Sequence, residues 1–192
     1  MRSLPAAQGL YRPEFEHDAC GVSFVVDMHG RRSHEIVARG VQALNNLEHR
    51  GASGAEKNTG DGAGVLIQIP DTFFRAVVDF ELPDAGAYAT GMAFLPMERA
   101  EADKAVASIA KVIESEGLTL VGWRDVPIDD SMIGNQAKEA EPSFRQLFVG
   151  GASGMDMERR AFILRKRMDL EVENVYFPSF SSRTYVLSLI HI

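Results

Sequence analysis

The stretch Cys20-Gly21-Val22-Ser23-Phe24-Val25-Val26 places a cysteine at the start of an apolar run with the composition of a β-strand. A turn signal follows at Asp27-Met28-His29-Gly30, so the sequence predicts a strand over residues 22–26. Cys20 is the only cysteine, which excludes an internal disulfide and a metal site built from several cysteines. It is therefore either a small buried apolar residue or a reactive thiol, and a lone cysteine more often proves to be buried and inert.

Residues 1–19, ahead of this strand, are polar and irregular and contain two prolines. They lack the apolar centre of a secretory signal peptide. We expect them to be a leader that is removed on maturation, leaving residues 20–192 as the N-terminal part of one domain. Removal would free the α-amino group of Cys20, whose ordinary pKa is close to that of a thiol. That amine could take the thiol proton without help from a histidine.

The bulk composition is that of an acidic globular domain. The 192 residues carry a net charge of −7 and are 45% hydrophobic, with no long run of one charge sign. This pattern argues against nucleic acid or an anionic membrane as a partner. No apolar stretch in the sequence is long enough to span a bilayer, and we expect a cytoplasmic protein.

Apolar periodicity predicts that helices and strands alternate along the chain. This alternation favours a layered α+β or α/β domain, without deciding whether the sheet is parallel or antiparallel. Residues 127–141 are polar and are expected to be irregular. The helices are predicted from Ser33 toward Gly51, at 71–80, at 97–116, near 142–149 and at 155–172. The remaining strands are predicted at 65–69, 86–95, 118–126 and 175–186, the last interrupted near Pro178.

Two further segments could carry chemistry. Arg50 ends the first predicted helix, and glycines at 60, 62 and 64 follow in a loop that lacks the pattern of a phosphate or dinucleotide site. A mobile surface turn is an equally good interpretation of that loop. Ser181-Ser182-Arg183-Thr184 places an arginine among hydroxyls, where it could bind a carboxylate through two hydrogen bonds. Without further context, Arg183 would be read as an exposed strand residue.

Together these segments resemble the start of the glutamate synthase large-subunit family. The likeness runs from about Tyr11 to Val186, and Arg50-Gly51 after an apolar helix is shared more widely among class II glutamine amidotransferases. The order and spacing of the segments are more specific than any one of them. The segments are Asp18-Ala19-Cys20-Gly21-Val22, Ser33-His34-Glu35-Ile36-Val37, residues 44–51, and Thr59-Gly60-Asp61-Gly62-Ala63-Gly64 with the run to Pro70.

The resemblance implies an α+β fold, the four-layer αββα arrangement of N-terminal-nucleophile hydrolases, here incomplete at its C-terminal end. It also implies that the leader is removed by autoprocessing. Cys20 would be the catalytic nucleophile, and Arg50 would lie beside it. Arg183 and Thr184 would bind glutamine, with Arg183 paired to its α-carboxylate. No metal site is implied.

The implied reaction is hydrolysis of L-glutamine to glutamate and ammonia. In the full family enzyme the ammonia serves glutamate synthesis from 2-oxoglutarate. That step uses FMN and an iron–sulfur cluster in downstream domains, so no cofactor is expected in this segment. Those domains and an electron-donating small subunit are the expected protein partners. The family's oxyanion-hole Asn-Gly pair and its amino-group-binding aspartate fall beyond residue 192, so we expect this segment alone to be inactive.

Two alternatives remain open on sequence. Another class II amidotransferase could deliver ammonia to a sugar phosphate or a purine precursor, although the Gly60–Gly64 loop disfavours it. A non-catalytic module could keep the fold without the chemistry. The presence of Cys20, Arg50 and Arg183 argues against this second alternative.

Overall fold

The structure is a computed structural model that describes residue 9 and residues 21–47, 62–131 and 133–189. These residues form five helices and five strands. The helices are α1 (His34–Asn46), α2 (Asp71–Val77), α3 (Arg99–Ser115), α4 (Asn135–Glu139) and α5 (Gly154–Glu171). The strands are β1 (Ala63–Gln68), β2 (Tyr88–Leu95), β3 (Thr119–Asp125), β4 (Ser143–Gly150) and β5 (Thr184–Leu189).

The described strands form two antiparallel sheets. One has three strands in the order β2-β4-β3, so β4 is central although it comes last of the three in the chain. The other pairs β1 with β5, placing Gln68 opposite Thr184 and Val65 opposite Leu187. The prediction of an α+β fold is confirmed, and the sheet type that periodicity left open is antiparallel.

One face of the three-stranded sheet packs against α3 and α5. Ala89 and Leu95 of β2 lie in a single core cluster with Ile109 of α3 and Leu164 of α5. These four side chains are almost fully removed from solvent. Burial of this apolar stripe is the main reason that both helices lie flat on the sheet.

The opposite face of the three-stranded sheet meets α2 and the β1–β5 sheet through aromatic side chains. The ring of Phe74 on α2 lies 5.3 Å from that of Phe148 on β4 and 5.4 Å from that of Tyr185 on β5, both edge-to-face. Such T-shaped contacts add to the free energy of burial. The two sheets therefore share a second, aromatic core, and the start of β5 is held close to it.

Helix α1 lies against β1, with Gly40 facing Val65. The other side of β1 is open, since Leu66 is 64% exposed. Among the described residues, the β1–β5 sheet therefore has one covered and one uncovered face.

Two predicted elements are wrong. Residues 142–149 do not form a helix, because β4 occupies Ser143–Gly150. As the central strand, β4 is buried on both faces, so Leu147, Phe148 and Val149 form an unbroken apolar run that periodicity cannot separate from a helix. Residues 22–26 are unpaired and Phe24 is 89% exposed, since no described strand lies beside them to form a ladder.

Two further predictions hold in part. The region predicted to be irregular, 127–141, contains the short helix α4. The strand predicted over 175–186, with an interruption near Pro178, is divided between two partners: Tyr176 and Ser181 make isolated bridges to β2, and continuous pairing with β1 begins only at Thr184.

Candidate functional site

The predicted glutamine-binding residues Arg183 and Thr184 lie where the chain enters β5. Gln68 at the end of β1 is the register partner of Thr184. The carbonyl oxygen of Arg183 accepts a 3.0 Å hydrogen bond from the backbone N–H of Ile69, just beyond β1. The Arg183 backbone is thus tied to the end of β1.

The hydroxyl of Ser181 fixes the turn into β5. It accepts hydrogen bonds from the backbone N–H of Arg183 at 3.0 Å and from that of Thr184 at 3.1 Å. Serine often closes a turn in this way, by accepting from the amides two and three residues ahead. The hydroxyl of Thr184 also lies 3.4 Å from Ser181 Oγ.

The side chain of Arg183 is exposed and available. Within residues 21–47, 62–131 and 133–189, its guanidinium has no hydrogen-bond or ion-pair partner. A guanidinium on a fixed backbone presents several N–H donors in one plane, which matches the geometry of a carboxylate. The arrangement suits the binding of a carboxylate ligand.

A buried polar pair supports this segment from the side of the three-stranded sheet. Thr90 of β2 exchanges two backbone hydrogen bonds with Ser181, at 3.0 and 3.2 Å. The hydroxyl of Thr90 accepts from the side-chain amide of Gln146, which in turn accepts from the guanidinium of Arg124. Thr90 and Gln146 are fully buried, so the pair satisfies polar groups that would otherwise be costly to bury.

Glu158 on α5 contacts the same segment and was not predicted from the sequence. Its carboxylate accepts hydrogen bonds from the hydroxyls of Ser181 and Ser182 and from the backbone N–H of Ser182. In the sequence, Glu158 stands beside two arginines in a charged helix and reads as part of a solvated face. No local pattern could have linked it to serines 23 and 24 residues later.

The predicted nucleophile Cys20 and the predicted Arg50 lie outside the described residues, as do Gly60 and Asp61 of the glycine loop. The structure therefore brings Arg183 and Thr184 together with β1, and it does not test their relation to Cys20 or Arg50. An open groove of about 530 Å³ bounded by Phe94 and Tyr176 includes none of the predicted site residues.

Nothing in the described residues resembles a metal or membrane site. They contain no group of three or more His, Cys, Asp or Glu side chains placed to hold one metal ion. None of the described helices has both the length and the apolar character needed to cross a bilayer.

A sequence model of the family described as "Glutamine amidotransferases class-II" matches residues 20–189. The chain belongs to the class-II glutamine amidotransferase family. This membership confirms the N-terminal-nucleophile fold class that the resemblance implied, and it identifies the chain as part of a glutamine amidotransferase. The match begins at Cys20 and includes Arg50, Arg183 and Thr184.

Individual relatives are glutamate synthases. The chain is 42% identical over 192 aligned residues to the glutamate synthase [NADPH] large chain of Bacillus subtilis (strain 168), covering 95% of this chain and 13% of that one. It is 36% identical over 178 residues to ferredoxin-dependent glutamate synthase 2 of Synechocystis, covering 89% and 11%. It is 40% identical over 151 residues to the glutamate synthase [NADH] of Saccharomyces cerevisiae, covering 74% and 7%. This amidotransferase chain thus spans about an eighth or less of each relative.

Proposed function

We propose that this chain carries the glutamine-hydrolysing site of a glutamate synthase, with Cys20 as nucleophile after removal of residues 1–19. The observation that carries the proposal is the family match, which starts at the only cysteine of the chain. The family name specifies glutamine as the nitrogen donor. The glutamate synthases among its relatives favour this enzyme over a class II amidotransferase that serves a sugar phosphate or a purine precursor.

The proposed chemistry needs a base for the thiol, and the freed α-amino group of Cys20 supplies it. The ordinary pKa of an α-amine lies close to that of a cysteine thiol, so the proton can pass between them near neutral pH. Residues 1–19 would block this amine by keeping it in a peptide bond. Their removal therefore converts Cys20 from an ordinary side chain into an activated nucleophile.

The reaction is an acyl transfer in two steps. The Cys20 thiolate attacks the side-chain amide carbon of glutamine, and the C–N bond breaks as the α-ammonium returns its proton to the departing ammonia. The product of this step is a γ-glutamyl thioester. Water then adds to the thioester carbon, the C–S bond breaks, and glutamate leaves with the thiol restored.

Arg183 is the proposed partner of the glutamine α-carboxylate, with Thr184 beside it. The support is a guanidinium without a partner among the described residues, on a backbone held at both its N–H and its carbonyl oxygen. A pre-positioned arginine gives up less conformational freedom when it binds a carboxylate. Arg50 is assigned a place beside Cys20 on the resemblance alone.

The complete enzyme would use the released ammonia to make glutamate from 2-oxoglutarate in the cytoplasm. FMN and an iron–sulfur cluster would supply the electron transfer of that step. The present residues do not fit the cluster, because such clusters are held by several cysteines and this chain has one. We therefore assign the cluster to downstream domains, and FMN with it on the resemblance, with an electron-donating small subunit as a further proposed partner.

The test is to express the protein with its complete amidotransferase domain and to measure the mature N-terminus by intact mass and terminal sequencing. We expect the active enzyme to begin at Cys20. A glutamine analogue with an electrophilic carbon in place of the amide should label Cys20 and abolish glutaminase activity. A Cys20→Ser variant serves as the control and should resist labelling. Full activity in protein that retains Met1 would overturn the proposal.

A further inference from the structure

The Glu158 carboxylate accepts hydrogen bonds from three donors, all on the two residues that precede Arg183. The Ser181 hydroxyl lies 2.9 and 3.1 Å from its two oxygens. The Ser182 backbone N–H and hydroxyl lie 2.8 and 2.7 Å from Oε2. Both serines are buried, with 6% of their surface exposed. Among the described residues this carboxylate acts as a clamp on one short segment.

The contact with Glu158 also orients the Ser181 hydroxyl. A hydroxyl has a single proton, and the carboxylate accepts it. The lone pairs of Ser181 Oγ are then directed at the backbone N–H groups of Arg183 and Thr184, from which it accepts. A hydrogen bond to an ionised acceptor is stronger than a neutral one, and it strengthens the bonds that continue from it. Glu158 thereby acts on the Arg183 backbone through one intervening hydroxyl.

Two other contacts complete the frame around Arg183. The backbone of Ser181 is hydrogen-bonded to that of Thr90 on β2. The Arg183 carbonyl accepts a hydrogen bond from the backbone N–H of Ile69, beyond β1. α5, β2 and the end of β1 thus converge on Ser181, Ser182 and Arg183, and only the Arg183 side chain is left without a partner among the described residues.

We infer that Glu158 is a positioning residue for glutamine, holding the segment from which Arg183 reaches the α-carboxylate. This inference rests on the proposed function. Because Glu158 acts through Ser181 rather than on substrate, its loss should weaken glutamine binding and leave the chemistry at the amide carbon largely intact.

The test variant is Glu158→Gln, made in the protein with its complete amidotransferase domain. The substituted side chain keeps the length of the original, but it has one oxygen to accept hydrogen bonds where the carboxylate has two. We expect KM for glutamine to rise about tenfold with kcat within about twofold. Asp156→Asn is the matched control, because Asp156 is an exposed carboxylate on the same helix that pairs only with Arg160 among described residues. It should leave both constants unchanged.

A second substrate separates positioning from general structural damage. 4-Aminobutanamide is glutamine without its α-carboxylate, so its hydrolysis does not use Arg183. Its kcat/KM should be the same in Glu158→Gln as in the unaltered enzyme. An equal fall for both substrates would show a merely structural role and would overturn the inference.

A double-mutant cycle with Arg183→Ala separates the inference from the proposed function. Arg183→Ala should raise KM for glutamine, and Glu158→Gln should add less than about twofold in that background. If Arg183→Ala leaves KM unchanged, the proposed role of Arg183 fails and the inference fails with it. If Arg183→Ala raises KM while Glu158→Gln has no effect, or an effect that adds in full, only the positioning role of Glu158 is overturned.

Ser182→Ala provides the same test if Glu158→Gln fails to fold. It removes one hydroxyl from the clamp and places a small apolar side chain at a buried position. We expect KM for glutamine to rise by about two- to threefold, with a lower thermal unfolding midpoint because a buried hydrogen bond to a carboxylate is lost. An unaltered KM would overturn the inference.

Discussion

At the scale of single residues, Gly91 is a point of close approach between β2 and the segment before Arg183. A Cβ atom built on Gly91 would overlap the carbonyl oxygen of Ser179 and lie 2.8 Å from a ring carbon of Phe180. Gly91 has no left-handed φ, so the position needs glycine for space rather than for backbone conformation. The close approach is what lets Ser181 pair with the neighbouring Thr90.

We predict that Gly91→Ala lowers the free energy of unfolding by about 2–3 kcal/mol, because backbone must move away from backbone. Denaturant unfolding followed by tryptophan fluorescence measures the change. In the glutamine-hydrolysing enzyme the same variant should raise KM, since the segment that it displaces leads to Arg183. A variant as stable as the unaltered chain would show that residues 179–181 do not pack closely against β2 at Gly91.

Asp71 is a second residue with a measurable consequence. Its carboxylate accepts from the Arg75 guanidinium at 2.9 Å and from the Tyr88 hydroxyl at 3.0 Å. The hydrogen bond from Arg75, above all, holds the pKa of Asp71 below its ordinary value. A carboxyl whose pKa is lower in the folded state stabilises the fold above its unfolded pKa, and this stabilisation is lost as the pH falls toward its folded pKa.

We therefore predict that Asp71→Asn is less stable than the unaltered chain at pH 7 and that the difference shrinks below about pH 4. Urea unfolding at a series of pH values from neutral to acid measures both curves. Asp156→Asn is the comparison, since it removes an exposed carboxylate from a helical pair of the kind that adds little stability. A deficit for Asp71→Asn that stays constant across the series would contradict the account.

The sequence indicates some residues of the candidate site and not others. Arg183 and Thr184 could be singled out because the family pattern extends over their segment, while their chemistry alone suggested an exposed arginine. Glu158 could not be found, because its link to Ser181 and Ser182 exists only after α5 has packed on β2. A contact between distant segments leaves no trace in the local pattern.

At the scale of elements, α1 is the least buried of the helices that the structure describes, since none of its residues is fully buried. It contains Gly40, and a Cβ there would meet Val65 Cγ1 at 3.6 Å, an ordinary contact distance. Glycine in a helix interior costs conformational entropy that alanine does not.

We predict that Gly40→Ala stabilises α1 by about 0.5–1 kcal/mol. Circular dichroism and the hydrogen-exchange rates of the α1 amides measure the gain. Gly117→Ala is the matched control: a Cβ there would meet nothing within 4 Å, but φ is +67°, so alanine should destabilise by about 1 kcal/mol. Equal effects of the two substitutions would contradict this account of α1.

For helices whose apolar residues recur at helical spacing, the predicted bounds agree closely with the structure. Residues 97–116 were expected to be helical and α3 is Arg99–Ser115; residues 155–172 were expected and α5 is Gly154–Glu171. Both helices place an apolar stripe on a sheet, so their period survives in the sequence. β4 was mistaken for a helix because a strand buried on both faces has no alternation to detect.

At the scale of the whole molecule, the two sheets differ in the sequence separation between the strands that pair in them. β3 and β4 pair across a connection of 17 residues, 126–142, with Asp125 opposite Arg145. Val65 pairs with Leu187, roughly 120 residues later, and long separations of this kind slow folding.

We predict that the three-stranded sheet forms before the β1–β5 pair. In pulse-labelled hydrogen exchange during refolding, amides of β4 should become protected first and those of β1 last. The buried amides of α3 serve as an internal reference, since α3 packs on the early sheet. Simultaneous protection of β1 and β4 would contradict this order.

The distance between β1 and β5 also matters during synthesis. At ~5–20 residues per second, a ribosome needs roughly 6–24 s to add the residues that separate the two strands. During that interval β1 has been made but its partner has not, and its Leu66 side has no cover among the described residues. Arg183 is placed only when β5 pairs with β1, so the carboxylate contact proposed for it cannot form until the chain has been made past residue 189.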